Sequence, residues 1–199
     1  MKVLEPIWGT KAETASRLRG RLEAVLDWAT VRKYRTGENP ARWKGHLDTL
    51  LPARSKVARV QHFAALPWKD VGAFMKELSG QAGIGALALK FAILTAARSG
   101  EVRGMTWDEV DLDDHLWIVP AVRMKAGREH RIPLTPPAVA LLKELMPLRK
   151  PEESIVFPSI RDRKPLSDMT LTAVLRRMGR TDMTVHGFRS TFRDWAAEA

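Results

Sequence analysis

From Gly83 to Ala97 the chain is apolar at nearly every position, Lys90 and Thr95 excepted. A run of this length and uniformity, in a chain of 199 residues, fits a helix buried at the centre of the fold. It falls short of the roughly 18 apolar residues that a bilayer-spanning helix needs. Directly after it comes Arg98-Ser99-Gly100-Glu101, where a break of small residues delivers an arginine at the end of a rigid element. A guanidinium at that place needs a structural or chemical reason.

The segments around this helix are read from their periodicity. Thr10, with Glu13 three residues on, resembles a capping box, and Leu18, Leu22, Val25, Leu26 and Ala29 predict a helix to about Thr30. Asn39-Pro40, followed by Trp43, Leu47 and Leu50, predicts a second, shorter helix. Lys56 to Leu66 reads as a connector, and a helix restarts at Leu66-Pro67-Trp68 with Val71, Phe74, Met75 and Leu78 inside and Gly80 at its end. The domain boundary is expected there, giving 1–66 and 67–199.

After Trp107 the period shortens. Val110, Leu112, Leu116, Ile118 and Val122 suggest strands with a turn at Asp113-Asp114. Val122-Arg123-Met124-Lys125 and His130-Arg131-Ile132-Pro133-Leu134 are expected to pair as a hairpin with a basic tip. Further helices are predicted from Pro136 and after the Ser167-Asp168 cap, with Ile155 to Pro158 extended between them. The fold class is therefore α+β: mainly helical, with a small antiparallel sheet. Trp107, Trp117 and Trp195 are expected in the core.

The final segment, Thr184 to Ala196, combines core and chemistry. Phe188, Phe192, Trp195 and Ala196 share one helical stripe, and His186, Arg189 and Arg193 follow one another at i, i+3 and i+7. An imidazole and two guanidiniums on one side outline an anion site.

Charge points the same way. Lys+Arg outnumber Asp+Glu by 33 to 23, and residues 1–66 carry 13 of the positive and 6 of the negative groups, so +7 of the net +10 lies there. A polyanionic partner such as nucleic acid is favoured. With no cysteine, neither a disulfide framework nor a thiolate metal site can form. The five histidines show no HxxH or HExxH spacing. No signal peptide is legible at Met1–Pro6, and with no cysteine a reducing cytosol is the expected compartment.

Three motifs in series, Thr95-Ala96-Ala97-Arg98-Ser99-Gly100-Glu101, Lys125 ahead of His130-Arg131-Ile132-Pro133-Leu134, and His186-Gly187-Phe188-Arg189, resemble the catalytic domain of tyrosine recombinases, in particular phage-type and island-type integrases of mobile elements. Read singly, Arg98 is also explained as a helix-end cation and Lys125 as a solvated turn lysine. The resemblance covers about 67–199, and 1–66 resembles part of the family's helical core-binding domain. No counterpart of the arm-site-binding domain that precedes it in many integrases is seen.

The resemblance implies DNA strand cleavage and rejoining through a tyrosine–phosphate intermediate. Arg98 and Arg189 would bind the non-bridging oxygens, Lys125 would protonate the leaving 5′-oxygen, and His186 would manage the nucleophile's proton. Glu101 would orient Arg98. No metal or other cofactor is implied, because guanidiniums supply the positive charge. Contacts to DNA are expected from Arg42, Lys44, Arg128, Arg131 and Arg193, the partner being a double-stranded attachment site bound by a tetramer of full-length protomers. The family's tyrosine lies beyond the HxxR helix, whereas the sole tyrosine here is Tyr34. The chain is thus expected to be a fragment without its nucleophile, inactive alone; the alternative is a non-catalytic DNA-binding module that keeps the phosphate pocket.

Overall fold

Two units, Met1–His62 and Phe63–Ala199, make up the chain in a computed structural model that describes residues 2–57, 63–124 and 126–198. The division falls at 62/63, not at the expected 66/67. Residues 63–66 stay with the second unit because the Thr184 amide donates to the Ala64 carbonyl (2.9 Å) and the Thr191 hydroxyl to that of Leu66 (2.6 Å).

The first unit contains α1 (Glu5–Trp8), α2 (Ala12–Val31) and the short α3 (Arg54–Val57), the last running into the start of the expected connector. Leu4, Trp8, Ala15, Leu47 and Leu51 form its core, and Trp43 stacks on Trp8 with ring centroids 5.4 Å apart. The helix expected after Asn39 does not form; turns and one 3-10 turn, Leu47–Thr49, take its place. Its backbone is claimed from outside. The Asn39 amide nitrogen donates to the Glu23 carbonyl and the Asp27 carboxylate, while its oxygen accepts from the Ala41 amide. The Trp43 amide donates to the Glu23 carboxylate (3.1 Å). Side-chain bonds of this kind compete with helical ones.

In the second unit a 3-10 turn, Trp68–Asp70, leads into α4 (Val71–Ser79), which ends at Gly80 as expected. The apolar run forms α5 (Ile84–Thr95), in which Ala86, Ala88, Leu89, Phe91 and Ala92 are buried. Ala96 then adopts a left-handed φ of +49°, which ends the helix, and α6 (Ser99–Arg103) starts immediately. A three-stranded antiparallel sheet follows, in the order β1 (Val110–Asp111), β2 (Leu116–Val119), β3 (His130–Pro133). Helices α7 (Pro136–Leu145), α8 (Thr170–Arg177) and α9 (Gly187–Glu198) complete the unit. Phe91 meets the rings of both Trp117 and Phe157 at 5.5 Å, joining helix, sheet and the 155–158 segment into one core. Burial of each such side chain contributes about 1.5–3 kcal/mol.

Two expectations are corrected. Of the strand expected at 122–125, the described residues 122–124 form none: β3 pairs with β2, Trp117 opposite Ile132 and Val119 opposite His130. Pro120 has no N–H with which to extend a ladder, and Ala121–Arg123 turn into a 3-10 helix. On α9 only Phe188 of the apolar stripe is buried; Phe192 and Trp195 are 49% and 45% exposed, so Trp195 is not core, unlike Trp107 and Trp117. Their rings meet at a tilt of 46° with centroids 5.6 Å apart, and they line an open groove with Trp68, Val71 and Ile93.

Gly187 starts α9 where residues 64 and 65 cross it. A Cβ there would collide with the Ala64 carbonyl and lie 3.0 Å from the Ala65 Cα. Gly187→Ala is expected to lower stability by about 1–3 kcal/mol in urea denaturation, since backbone must shift to admit the methyl. An unchanged unfolding midpoint would contradict this close approach.

Candidate functional site

The turn between α5 and α6 gathers the charged groups. Arg98 stands at the N-cap of α6, and its backbone amide donates to Glu101 Oε2 at 2.8 Å, which satisfies one of the orphan amides at a helix start. The Arg98 guanidinium donates to Glu101 Oε1 at 2.6 Å. Both oxygens of the carboxylate are therefore committed to one residue. Glu101 is 6% exposed while the Arg98 side chain is 45% exposed, so a buried acid holds an arginine whose remaining donors face solvent.

Arg189, 91 residues later in the chain, comes to the same turn from the first turn of α9. Its Nη1 donates to the Ala96 carbonyl, the group left over where α5 ends in the left-handed conformation. A cation at a helix C-terminus is favoured by the helix dipole as well as by the bond. His186, just before α9, is exposed and sets its ring edge-on to Phe63 with centroids 4.7 Å apart. Arg98, Glu101, His186 and Arg189 line one concavity of about 330 Å³, together with Ser99, Gly100 and Arg123. Three guanidiniums and an imidazole around a hollow of that size suit a tetrahedral oxyanion.

The remaining sequence candidates lie elsewhere. Lys125 is outside the described residues. Arg193 is exposed, pairs with Asp194 at 2.8 Å and does not line the concavity, because the seven-residue step from His186 keeps it near the same face but carries it roughly 10 Å along the helix axis. Arg128 is exposed in the turn before β3, and Arg131 lies 3.5 Å from Glu129. In the first unit Arg42 pairs with Glu38 and Lys44 is exposed. Among the described residues no group of three or more His, Cys, Asp or Glu could hold a metal ion, and no helix is long and apolar enough to cross a membrane.

A second hollow of about 460 Å³ shares Ser99, Val185 and His186 with the first and extends past Thr172, Arg176 and Arg180. Arg180 is committed to Asp182 (3.0 Å) and Glu77 (3.1 Å), and its hydrogen bonds hold the Asp182 carboxyl below the usual carboxylate range. Arg123 in the first hollow is the residue that sequence reasoning misses, because it is assigned there to a strand. The Pro120 that ends β2 is the one signal that could have redirected it.

The Phage integrase family signature matches residues 58–199, and that of the Phage integrase central domain matches residues 1–46. The chain belongs to the phage integrase family. It is 31% identical over 207 residues to the integrase of Enterobacteria phage P4, covering 95% of this chain and 45% of that protein. It spans less than half the length of that relative and of the prophage integrase IntZ of Escherichia coli. Its fold superposes on the Tn1549 transposon integrase in complex with a circular intermediate DNA (TM-score 0.72, 15% identity, 94% of this chain and 67% of that one). It also superposes on a lambda integrase tetramer bound to a Holliday junction (TM-score 0.63, 20% identity, 94% and 55%).

The grip of Glu101 on Arg98 sets a measurable cost. Glu101→Ala leaves the Arg98 amide without its acceptor and frees the guanidinium, so a loss of about 1–3 kcal/mol in unfolding free energy is expected. Stability equal to the parent chain would show that the carboxylate does not hold the turn.

Proposed function

We propose that this integrase-family chain carries the phosphate-binding and proton-transfer machinery of a site-specific DNA recombinase. The observation that supports this best is the convergence of Arg98, Arg189 and His186, far apart in sequence, on one hollow. In the proposed reaction a tyrosine oxygen attacks the phosphorus of a DNA phosphodiester, the P–O5′ bond breaks, and a 3′-phosphotyrosyl linkage and a free 5′-hydroxyl result. Negative charge grows on the non-bridging oxygens as this happens. Arg98 and Arg189 oppose it with planar, always-protonated donors already fixed by Glu101 and by the Ala96 carbonyl.

His186 accepts the phenolic proton, and Lys125 donates the proton that the 5′-oxygen requires. Glu101 keeps Arg98 aimed, a role that its 6% exposure and double hydrogen bond support. The substrate is a double-stranded attachment site, and Arg42, Lys44, Arg128, Arg131 and Arg193 are proposed to meet its backbone. Assembly of the full-length protein as a tetramer on that site belongs to the same reading. Losing either pocket arginine in a chain equipped with a nucleophile is expected to cost on the order of 3 kcal/mol of transition-state stabilisation, read as kcat for strand cleavage.

Two assays check the reading on the 199 residues themselves. Binding to duplex DNA, followed by fluorescence anisotropy, should weaken with salt along a log–log slope of roughly −0.9 for each phosphate neutralised. Affinity that holds constant as salt is raised contradicts a backbone-binding chain. With a suicide substrate, no covalent protein–DNA band is expected, because no tyrosine follows His186 in these residues and Tyr34 lies in the other unit. A covalent band that disappears in Tyr34→Phe contradicts the assignment of the nucleophile.

A further inference from the structure

Arg123 occupies an unusual position for a residue of a surface turn. It reaches back under the site with a side chain only 23% exposed. One guanidinium nitrogen, Nη1, donates to Glu109 Oε1, and the other, Nη2, donates to the backbone carbonyl of Glu101. The Glu109 side chain is itself 6% exposed, and its second oxygen accepts from the Trp117 indole at 3.0 Å and from the Thr106 amide at 3.4 Å. Trp117 is fully buried in β2. The base of this arrangement is therefore anchored in the core.

The carbonyl that Arg123 holds belongs to the last turn of α6, where carbonyls lack helical partners. The amides of Gly104 and Met105 go to the carbonyls of Gly100 and Val102, which leaves that of Glu101 for the guanidinium. Gly104 makes room: a Cβ there would stand 3.0 Å from Arg123 Nη2, tighter than ordinary contact. On its other side the same Glu101 binds Arg98 through both carboxylate oxygens. A continuous run of hydrogen bonds thus leads from Trp117 through Glu109, Arg123 and Glu101 to Arg98.

We propose that Arg123 is a positioning residue, which uses the buried Glu109 as its anchor to hold the Glu101 carbonyl and so fixes the turn that presents Arg98 to the phosphate pocket. The proposal rests on the reading of that hollow as a phosphate site. A planar fork is required, because its two nitrogens serve two acceptors at once; an ammonium supplies a point charge without that geometry. Truncation alone would leave Glu109 buried without its cation and confuse instability with function. Replacing Glu109 by glutamine in the same chain removes the stranded charge and keeps an oxygen for the Trp117 indole.

The test uses the isotope-labelled 199-residue chain and its arginine Nε–Hε signals, first alone and then titrated with inorganic phosphate. Arg123→Met should lower the melting temperature, and Glu109→Gln/Arg123→Met should recover much of it. In that recovered double variant the Arg98 signal should move toward that of a solvent-exposed arginine, and phosphate should bind roughly tenfold more weakly. Arg123→Lys should resemble the double variant in the Arg98 signal. A double variant with the parent's Arg98 signal and phosphate affinity would overturn the proposal, leaving Arg123 as a structural ion pair. In an Arg98→Met background, a further loss of phosphate affinity on changing Arg123 would also overturn it, by showing direct contact with the anion. If Arg98→Met leaves phosphate binding untouched, the phosphate reading of the hollow fails, and the Arg98 signal still decides the role of Arg123.

Discussion

A buried carboxylate gripping a half-exposed arginine is the interaction on which the site depends. Glu101 has little contact with water, and an isolated carboxylate there would be costly. It is tolerated because both oxygens are used, one by the Arg98 amide and one by the guanidinium. The consequence is directional: Arg98 cannot wander without stranding Glu101, so it stays in the wall of the hollow. Preorganisation of this kind is what electrostatic stabilisation of a developing oxyanion requires.

The helix that precedes it supplies the fixed frame. Helix α5 is pinned on several sides by Phe91, Leu89 and their neighbours, and it stops abruptly at Ala96 in a conformation that costs an L-residue about 1 kcal/mol or more. The stop frees the Ala96 carbonyl, and Arg189 takes it. A single break thus positions both guanidiniums, one by starting the next helix and the other by capping the last. Gly187 and the strap at 64–66 then hold the beginning of α9 in place, so that Arg189 and His186 arrive from a tethered helix end.

What could be read in advance follows from how local each signal is. The apolar run at 83–97 and the stripe in α4 declare themselves through periodicity alone, and both helices are found where the pattern puts them. Arg98, His186 and Arg189 were legible as residues of a shared pocket only through three motifs taken together, since each is common singly. The loop after Asn39 was not legible, because Glu23 and Asp27 on α2 capture its polar groups, and such long-range claims leave no period in the sequence. Residues 122–124 of the expected strand turn away for a related reason: Arg123 is drawn under α6 by Glu109, a tertiary contact that a weak β-pattern does not register. The exposure of Phe192 and Trp195 could not be foreseen from a helical stripe, which says that residues share a face and not what covers it.

The central claim is that Arg98 and Arg189 act on one phosphate. A double-mutant cycle on duplex-DNA affinity at fixed low salt, with Arg98→Met, Arg189→Met and the combined variant, measures it directly. If one phosphate is shared, the combined loss falls short of the sum of the single losses by about 0.5–3 kcal/mol. Losses that add within error would mean that the two arginines meet separate phosphates, and the shared pocket would be contradicted.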